Sequence, residues 1–159
     1  MARAAEVELA ADEPFARAGA RAARVRAQEL FAQAEGVLDT TDIERVHDMR
    51  VATRRLRAVL EIFAPCFPKA PYRAALRDVK ELADALGERR DPDVQIEALE
   101  AVAAGMPAAQ RAGVKALAGR LRERQAHANQ RLLEALEHAE RTELRERLLA
   151  LAAAAEEPA

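Results

Sequence analysis

Four side chains between residues 47 and 57 have the chemistry and spacing to grip one anion together. The segment reads Val46-His47-Asp48-Met49-Arg50-Val51-Ala52-Thr53-Arg54-Arg55-Leu56-Arg57. A helical turn of about 100° per residue sets His47, Arg50, Arg54 and Arg57 within an arc of roughly 80°, while Arg55 points elsewhere. A guanidinium is planar and offers paired donors that match the oxygens of a phosphate or carboxylate. His47 adds a donor that depends on protonation, since the reference imidazole pKa is about 6.5. Like charges on one helix face repel. Asp48 cannot pair with all four, so an extended polyanion is the kind of ligand that would offset the repulsion. His47 also has a plainer reading, as a core-edge histidine that orients Asp48 or a backbone carbonyl.

The same spacing recurs elsewhere. Arg17, Arg21 and Arg24 run i, i+4, i+7, as do Arg73, Arg77 and Lys80, and Arg120, Arg124, His127 and Arg131 run i, i+4, i+7, i+11. Each set makes one stripe on a helix. Taken alone, each also reads as an ordinary solvated face paired with nearby acids. The row from His47 to Arg57 differs because few acids surround it and because it borders an apolar seam of Val46, Met49, Thr53, Leu56, Leu60 and Phe63, with Thr53 the one polar interruption.

The elements that must position these stripes are all helices. The first is expected from about Asp12 to Glu35, with Gly36 as its stop. Thr41-Asp42-Ile43-Glu44 has the form of a capping box, with Thr41 at N-cap and Glu44 at N3; the helix it opens runs to about Ala64. Pro65–Pro71 holds three prolines and reads as a connector. A third helix starts at Pro71 and stops near Gly87. Asp91-Pro92 then reads as cap and first residue of a short fourth helix ending near Gly105. Pro107 opens a fifth reaching about Glu137, and a last helix covers Arg141–Ala154 before the tail frays. Short connections make neighbours antiparallel, so the expectation is an all-α bundle of five to six helices in one domain, 1–159.

Composition agrees with that class. Half of the 159 residues are apolar and 33% are charged, which excludes a wholly disordered chain. Aromatics are only 3%, so the core must be built from Ala, Leu, Val and Ile, and few segments look like strands. The net charge of −2 conceals a segregation. Arg45–Lys80 carries nine Lys or Arg against Asp48, Glu61 and Asp78, and Glu81–Glu100 carries seven acids against Arg89 and Arg90. Most of the basic residues are Arg, which a GC-rich genome would also produce, so spacing rather than count carries the argument. The single cysteine, Cys66, allows no internal disulfide; it reads as a small buried residue and fits a reducing, cytoplasmic setting. No apolar run is long enough to span a membrane, and Met1–Ala10 does not form a signal peptide.

Two stretches carry a family resemblance. His47-Asp48-x-Arg50-Val51-Ala52-x-Arg54-Arg55-Leu56-Arg57 resembles the signature helix of CHAD domains, the conserved-histidine α-helical domains. Leu82-Ala83-x-x-Leu86-Gly87-x-x-Arg90-Asp91-x-Asp93-Val94 is similar to the family's second landmark, in the expected order. The likeness is strongest over Ile43–Leu99. It implies a helical bundle that binds inorganic polyphosphate without catalysis, in association with polyphosphate granules or polyphosphate-metabolising enzymes. The phosphate-binding character carries over to His47, Arg50, Arg54, Arg55 and Arg57, and Arg90 matches the second landmark. The other three stripes are inferred from spacing alone. A full CHAD domain has two related halves, each with a basic signature helix; here there is one, and neither His127 nor His138 begins another. The chain thus resembles a first half with a helical extension, either a short form or one completed by a homodimer.

Other functions draw less support from these residues. A helical adaptor docking an acidic protein partner would use the same stripes. Asp91, Asp93, Glu97 and Glu100 are the acids a metal-dependent phosphohydrolase would need for Mg²⁺, but Asp91 reads as a cap and Glu97 and Glu100 as a solvated face. The Glu-x-Glu-x-Lys strand of the triphosphatases that accompany CHAD domains, a Gly-rich phosphate loop and a zinc-ligand set are all missing. No enzyme activity, metal or cofactor is therefore expected. Few aromatics make single-stranded nucleic acid a poorer ligand, and the balanced charge argues mildly against duplex DNA.

Overall fold

A computed structural model describes residues 3–156, so the extreme ends of the expected 1–159 domain and most of its frayed tail lie outside the described residues. The helices are α1 (Phe15–Ala32), α2 (Ile43–Ile62), α3 (Lys69–Ala104), α4 (Arg111–Arg141) and α5 (Leu144–Glu156), with 3-10 turns at Ala64–Cys66 and Ala108–Gln110. No strand occurs among the described residues. The architecture is the expected all-α bundle.

Cross-helix partners show that α1 to α4 reverse in turn. Glu29 of α1 meets Arg55 of α2 while Phe15 meets Phe63 at the end of α2, Glu61 and Ile43 of α2 meet Lys80 and Arg90 of α3, and Glu88 and Glu100 of α3 meet Arg131 and Arg122 of α4. α1 packs against α2 and α5, α2 against α3, and α3 against α4. The core holds Ala20, Ala27 and Leu30 of α1, Val46, Met49, Leu56 and Leu60 of α2, and Val79, Leu82 and Leu86 of α3, closed by Leu132, Leu144 and Leu148. Alanines let the helices of this aromatic-poor core approach closely. Thr53, the polar interruption in the α2 seam, is fully buried and donates its hydroxyl to the Met49 carbonyl at 2.8 Å, so no donor is stranded.

At 1.5 Å per residue the 36 residues of α3 span about 54 Å and the 31 of α4 about 46 Å, against about 30 Å for α2. Ile96, Ala118, Leu121 and Ala128 are buried but stand outside the main core cluster. The far ends of α3 and α4 thus form an arm packed largely on itself.

Three sequence expectations need correction. The third and fourth helices are one: α3 runs unbroken through Gly87 and Asp91, with Pro92 buried inside it. A proline in a helix interior forfeits a backbone hydrogen bond and costs about 3 kcal/mol. What holds the helix together is a polar network beside it. Arg89, fully buried, pairs with Asp93 one turn on, its Nε donates to Asn129 of α4 at 3.0 Å, and Gln125 of α4 donates to Asp93 at 2.6 Å. Asn129 in turn donates to the Leu38 carbonyl at 3.0 Å. Docking onto α4 therefore overrides the local break signal.

Second, the capping box is not made. Thr41 gives both its N–H and its hydroxyl to the Asp39 carboxylate, at 2.9 and 2.7 Å, and the N-cap is Asp42 without a side-chain cap bond. Those bonds hold the Asp39 carboxyl below its ordinary range. Third, boundaries shift. α1 ends at Ala32, and Gly36, at a φ of 69°, turns the chain several residues later. α3 begins two residues before Pro71, a 3-10 turn separates Pro107 from α4, and α5 begins at Leu144 and continues through Glu156.

Candidate functional site

The apolar seam of α2 faces the core, and this sets its cationic row along the edge where α2 meets α3. Arg50, Arg54 and Arg57 line one groove there, of about 540 Å³, with Ala83, Asp84, Gly87, Glu88 and Asp91 of α3 forming the opposite wall. Arg50 and Arg54 are exposed and make no ion pair within 4 Å among the described residues. Arg57 is half-buried, 3.7 Å from Glu61, and its Nε is buried without a hydrogen-bond partner. Glu61 also lies 3.9 Å from Lys80, which places a fourth cation at the end of the row. The α3 wall is acidic, but Glu88 is held at 3.0 Å by Arg131 of α4, which brings a fifth cation to the outer lip. The result is a trough with a guanidinium wall facing a carboxylate wall.

The other candidates do not converge on this groove. Arg55 bonds Glu29 at 2.8 Å and so ties α2 to α1; Glu29 also holds Arg26 at 2.7 Å. Arg90 donates to the Ile43 carbonyl at 3.1 Å and lies 3.7 Å from Glu44, stitching α3 to the start of α2. His47 is half-buried and stands with Glu44 and Asp48, their ligand atoms within 4.8 Å of one another. Arg21 meets the Glu8 carbonyl at 2.9 Å and Glu13 at 3.0 Å, and Arg24 meets Glu156 of α5 at 2.8 Å. The Arg24 hydrogen bond, opposed by slight burial and helped by the charges of Arg24, Arg17 and Arg21, holds the Glu156 carboxyl below its ordinary range. Arg17 lines a separate cavity with Phe15, Phe67 and Cys66, where partial burial pushes the Cys66 thiol up. Lys69, Arg73 and Arg77 share a recess at the start of α3. Arg120, Arg124 and His127 are exposed on the arm and lie on the α4 face that Arg131 continues.

Among the described residues two groups have ligand atoms near enough to hold a metal ion, Glu44-His47-Asp48 and Asp78-Glu81-His138. In the second, both Asp78 oxygens are already engaged, by Arg147 at 2.7 Å and Arg77 at 3.0 Å. Of the four acids considered for Mg²⁺, Asp93, Glu97 and Glu100 line one recess beside the start of α2. Asp93 is bonded by Arg89 and Gln125, Glu100 by Arg122, and Asp91 lines the α2–α3 groove.

Asp78 is 4% exposed and clamps α3 to α5 through Arg147. Burial alone would raise its carboxyl, but the hydrogen bonds from Arg147 and Arg77 outweigh that and lower it from the model-compound value of 3.8. A carboxylate depressed in the folded state stabilises fully above its unfolded pKa, and that stability is lost as pH falls through the folded value. Acidification below about pH 4 is therefore expected to erode the advantage of the native protein over Asp78→Asn. Urea unfolding of both at pH 7 and pH 3 checks this; a gap that stays constant contradicts the assignment.

Sequence reasoning missed the buried Arg89–Asp93–Gln125–Asn129 network, for which the i, i+4 spacing of Arg89 and Asp93 was the available signal.

The family model described as CHAD domain matches residues 21–159. Comparison with curated proteins and with solved structures returns no match. The matched span begins in α1 and takes in both landmark segments, the groove between them and all the later helices; the chain belongs to the CHAD-domain family.

Proposed function

We propose that the α2–α3 groove binds inorganic polyphosphate without chemical turnover, as polyphosphate binding is characteristic of CHAD domains in general terms. The observation that carries the reading is the pair Arg50 and Arg54. Both project from one helix face into one groove, two turns and one turn from Arg57, and among the described residues neither has a carboxylate within ion-pair distance. Partnerless guanidinia in a row repel one another unless something multivalent joins them. Phosphate oxygens along a polyphosphate chain suit the paired donors of each guanidinium. Release of the chain's condensed counterions would add a term that weakens with salt, as it does for nucleic acids. The reading keeps Arg50, Arg54, Arg57 and Lys80 as ligand-binding residues; Arg55 and Arg90 act through packing.

The acidic wall of Asp84 and Asp91 favours a ligand that approaches along the α2 side and stays open to solvent. The exposed Val94, Val102 and Leu117 on the arm are the apolar surface on offer to a second copy in the proposed homodimer. No helix among the described residues is long and apolar enough to cross a membrane; a cytoplasmic place beside polyphosphate granules belongs to the same proposal.

The test is titration of the full chain with long-chain polyphosphate at two salt concentrations. Saturable binding at low salt that weakens by tenfold or more between about 50 and 200 mM salt is expected. Absence of binding at low salt by folded protein overturns the proposal, and release of orthophosphate in the presence of Mg²⁺ overturns its non-catalytic part.

A further inference from the structure

We infer that Gly87 is the point at which a bound linear polyanion crosses α3, passing from the arginines of α2 to Arg131 on α4. The inference rests on the polyphosphate reading and adds a path to it.

Glycine is among the poorest helix formers, and Gly87 sits deep inside α3. Neither of the usual structural reasons for a helical glycine applies. Its φ is not positive, and a Cβ built on it meets nothing within 4 Å. No neighbouring helix needs the space. What the missing side chain does leave is a gap in the α3 wall of the groove, which Gly87 lines together with Asp84, Glu88 and Asp91 opposite Arg50, Arg54 and Arg57.

The cations on either side explain why a gap in that wall matters. On one side stands the α2 row, with Arg50 and Arg54 making no ion pair among the described residues. On the other is the α4 face bearing Arg131, Arg124 and Arg120, of which Arg124 and Arg120 are exposed and make no ion pair among the described residues. α3 lies between them. Packed helices are about 8–10 Å apart, so α2 and α4 flanking α3 stand at most about 16–20 Å apart. A single phosphate or a short oligophosphate reaches one row only; a long linear chain reaches both, and the route between them passes Gly87 and its neighbour Glu88. The Glu88–Arg131 pair is exposed, with 46% and 56% of the side chains accessible. Exposed pairs are weak, so an incoming phosphate can replace Glu88 as the partner of Arg131 with little loss.

The experiment uses the full chain and two probes, long-chain polyphosphate and tripolyphosphate, with Gly87→Leu, Gly87→Ala and Arg131→Ala beside the native protein. Helical circular dichroism and thermal melting establish folding. Gly87→Ala is expected to melt no lower than the native protein. Gly87→Leu and Arg131→Ala are each expected to weaken long-chain binding by about tenfold, the worth of one lost charge-assisted contact. Arg131→Ala should leave tripolyphosphate binding unchanged. If Gly87→Leu does not fold, Arg131→Ala carries the test. Native protein that binds long chains, with Gly87→Leu and Arg131→Ala binding them equally well, overturns the crossing path and leaves the groove reading intact. Native protein that binds neither probe overturns both.

Discussion

Replacing Arg50, Arg54 and Arg57 together by alanine is expected to lower long-chain polyphosphate affinity by on the order of 100-fold or more. The three line one groove, and two of them have no ion-pair partner to lose among the described residues. Each charge-assisted contact is worth about 1–1.5 kcal/mol after allowance for exposure, so three remove about 3–4.5 kcal/mol. The salt dependence should flatten too, because fewer counterions are released. Folding should be nearly unaffected, since Arg50 and Arg54 are exposed and Arg57 pairs only with a surface Glu61 at 3.7 Å. Isothermal titration and circular dichroism of the triple variant check both halves. Undiminished binding would remove the α2 row from the site, and an adaptor that docks acidic proteins would then lose the same surface.

The second large effect is on stability. Arg89→Ala is expected to destabilise the protein by about 3–5 kcal/mol, because it leaves the Asp93 carboxylate buried without its cation. For a chain of this size that corresponds to a fall in Tm of about 6–20 °C. The cost should be specific to breaking the pair. Arg89→Met combined with Asp93→Leu removes both charges and should recover most of the loss, although Gln125 and Asn129 then give up partners, at about 1–3 kcal/mol. Even in the native protein, Arg89 Nη2 and Asp93 Oδ2 make no hydrogen bond among the described residues. The network thus joins α3 to α4 and the Leu38 turn, and it does so with little surplus. Thermal melts of the three proteins decide the matter: an Arg89→Ala variant within about 1 kcal/mol of native contradicts a buried ion pair.

These two effects separate the molecule into a part that folds it and a part that lines the groove. The buried arginine stitches helices; the exposed ones stand in the groove. Residue type alone does not distinguish them. Arg55 and Arg90 share the landmark segments with Arg54 and Gly87, yet Arg55 is held by Glu29 and Arg90 by the Ile43 carbonyl.

By itself the sequence determined the helical class, the course of α2 and the shared face of Arg50, Arg54 and Arg57. These follow from a 3.6-residue period acting within one helix, and local periodicity needs no knowledge of neighbours. Only the tertiary structure decided that Asp91-Pro92 lies inside a single long helix, that Thr41 serves Asp39 rather than an N-cap, and that the stripes of α1 and early α3 face other surfaces than the α2 groove. Each of these depends on which helix packs against which and at what rotation. That choice is made by contacts between residues far apart in the chain, such as Arg89 with Asn129 and Glu88 with Arg131, and no local signal encodes it.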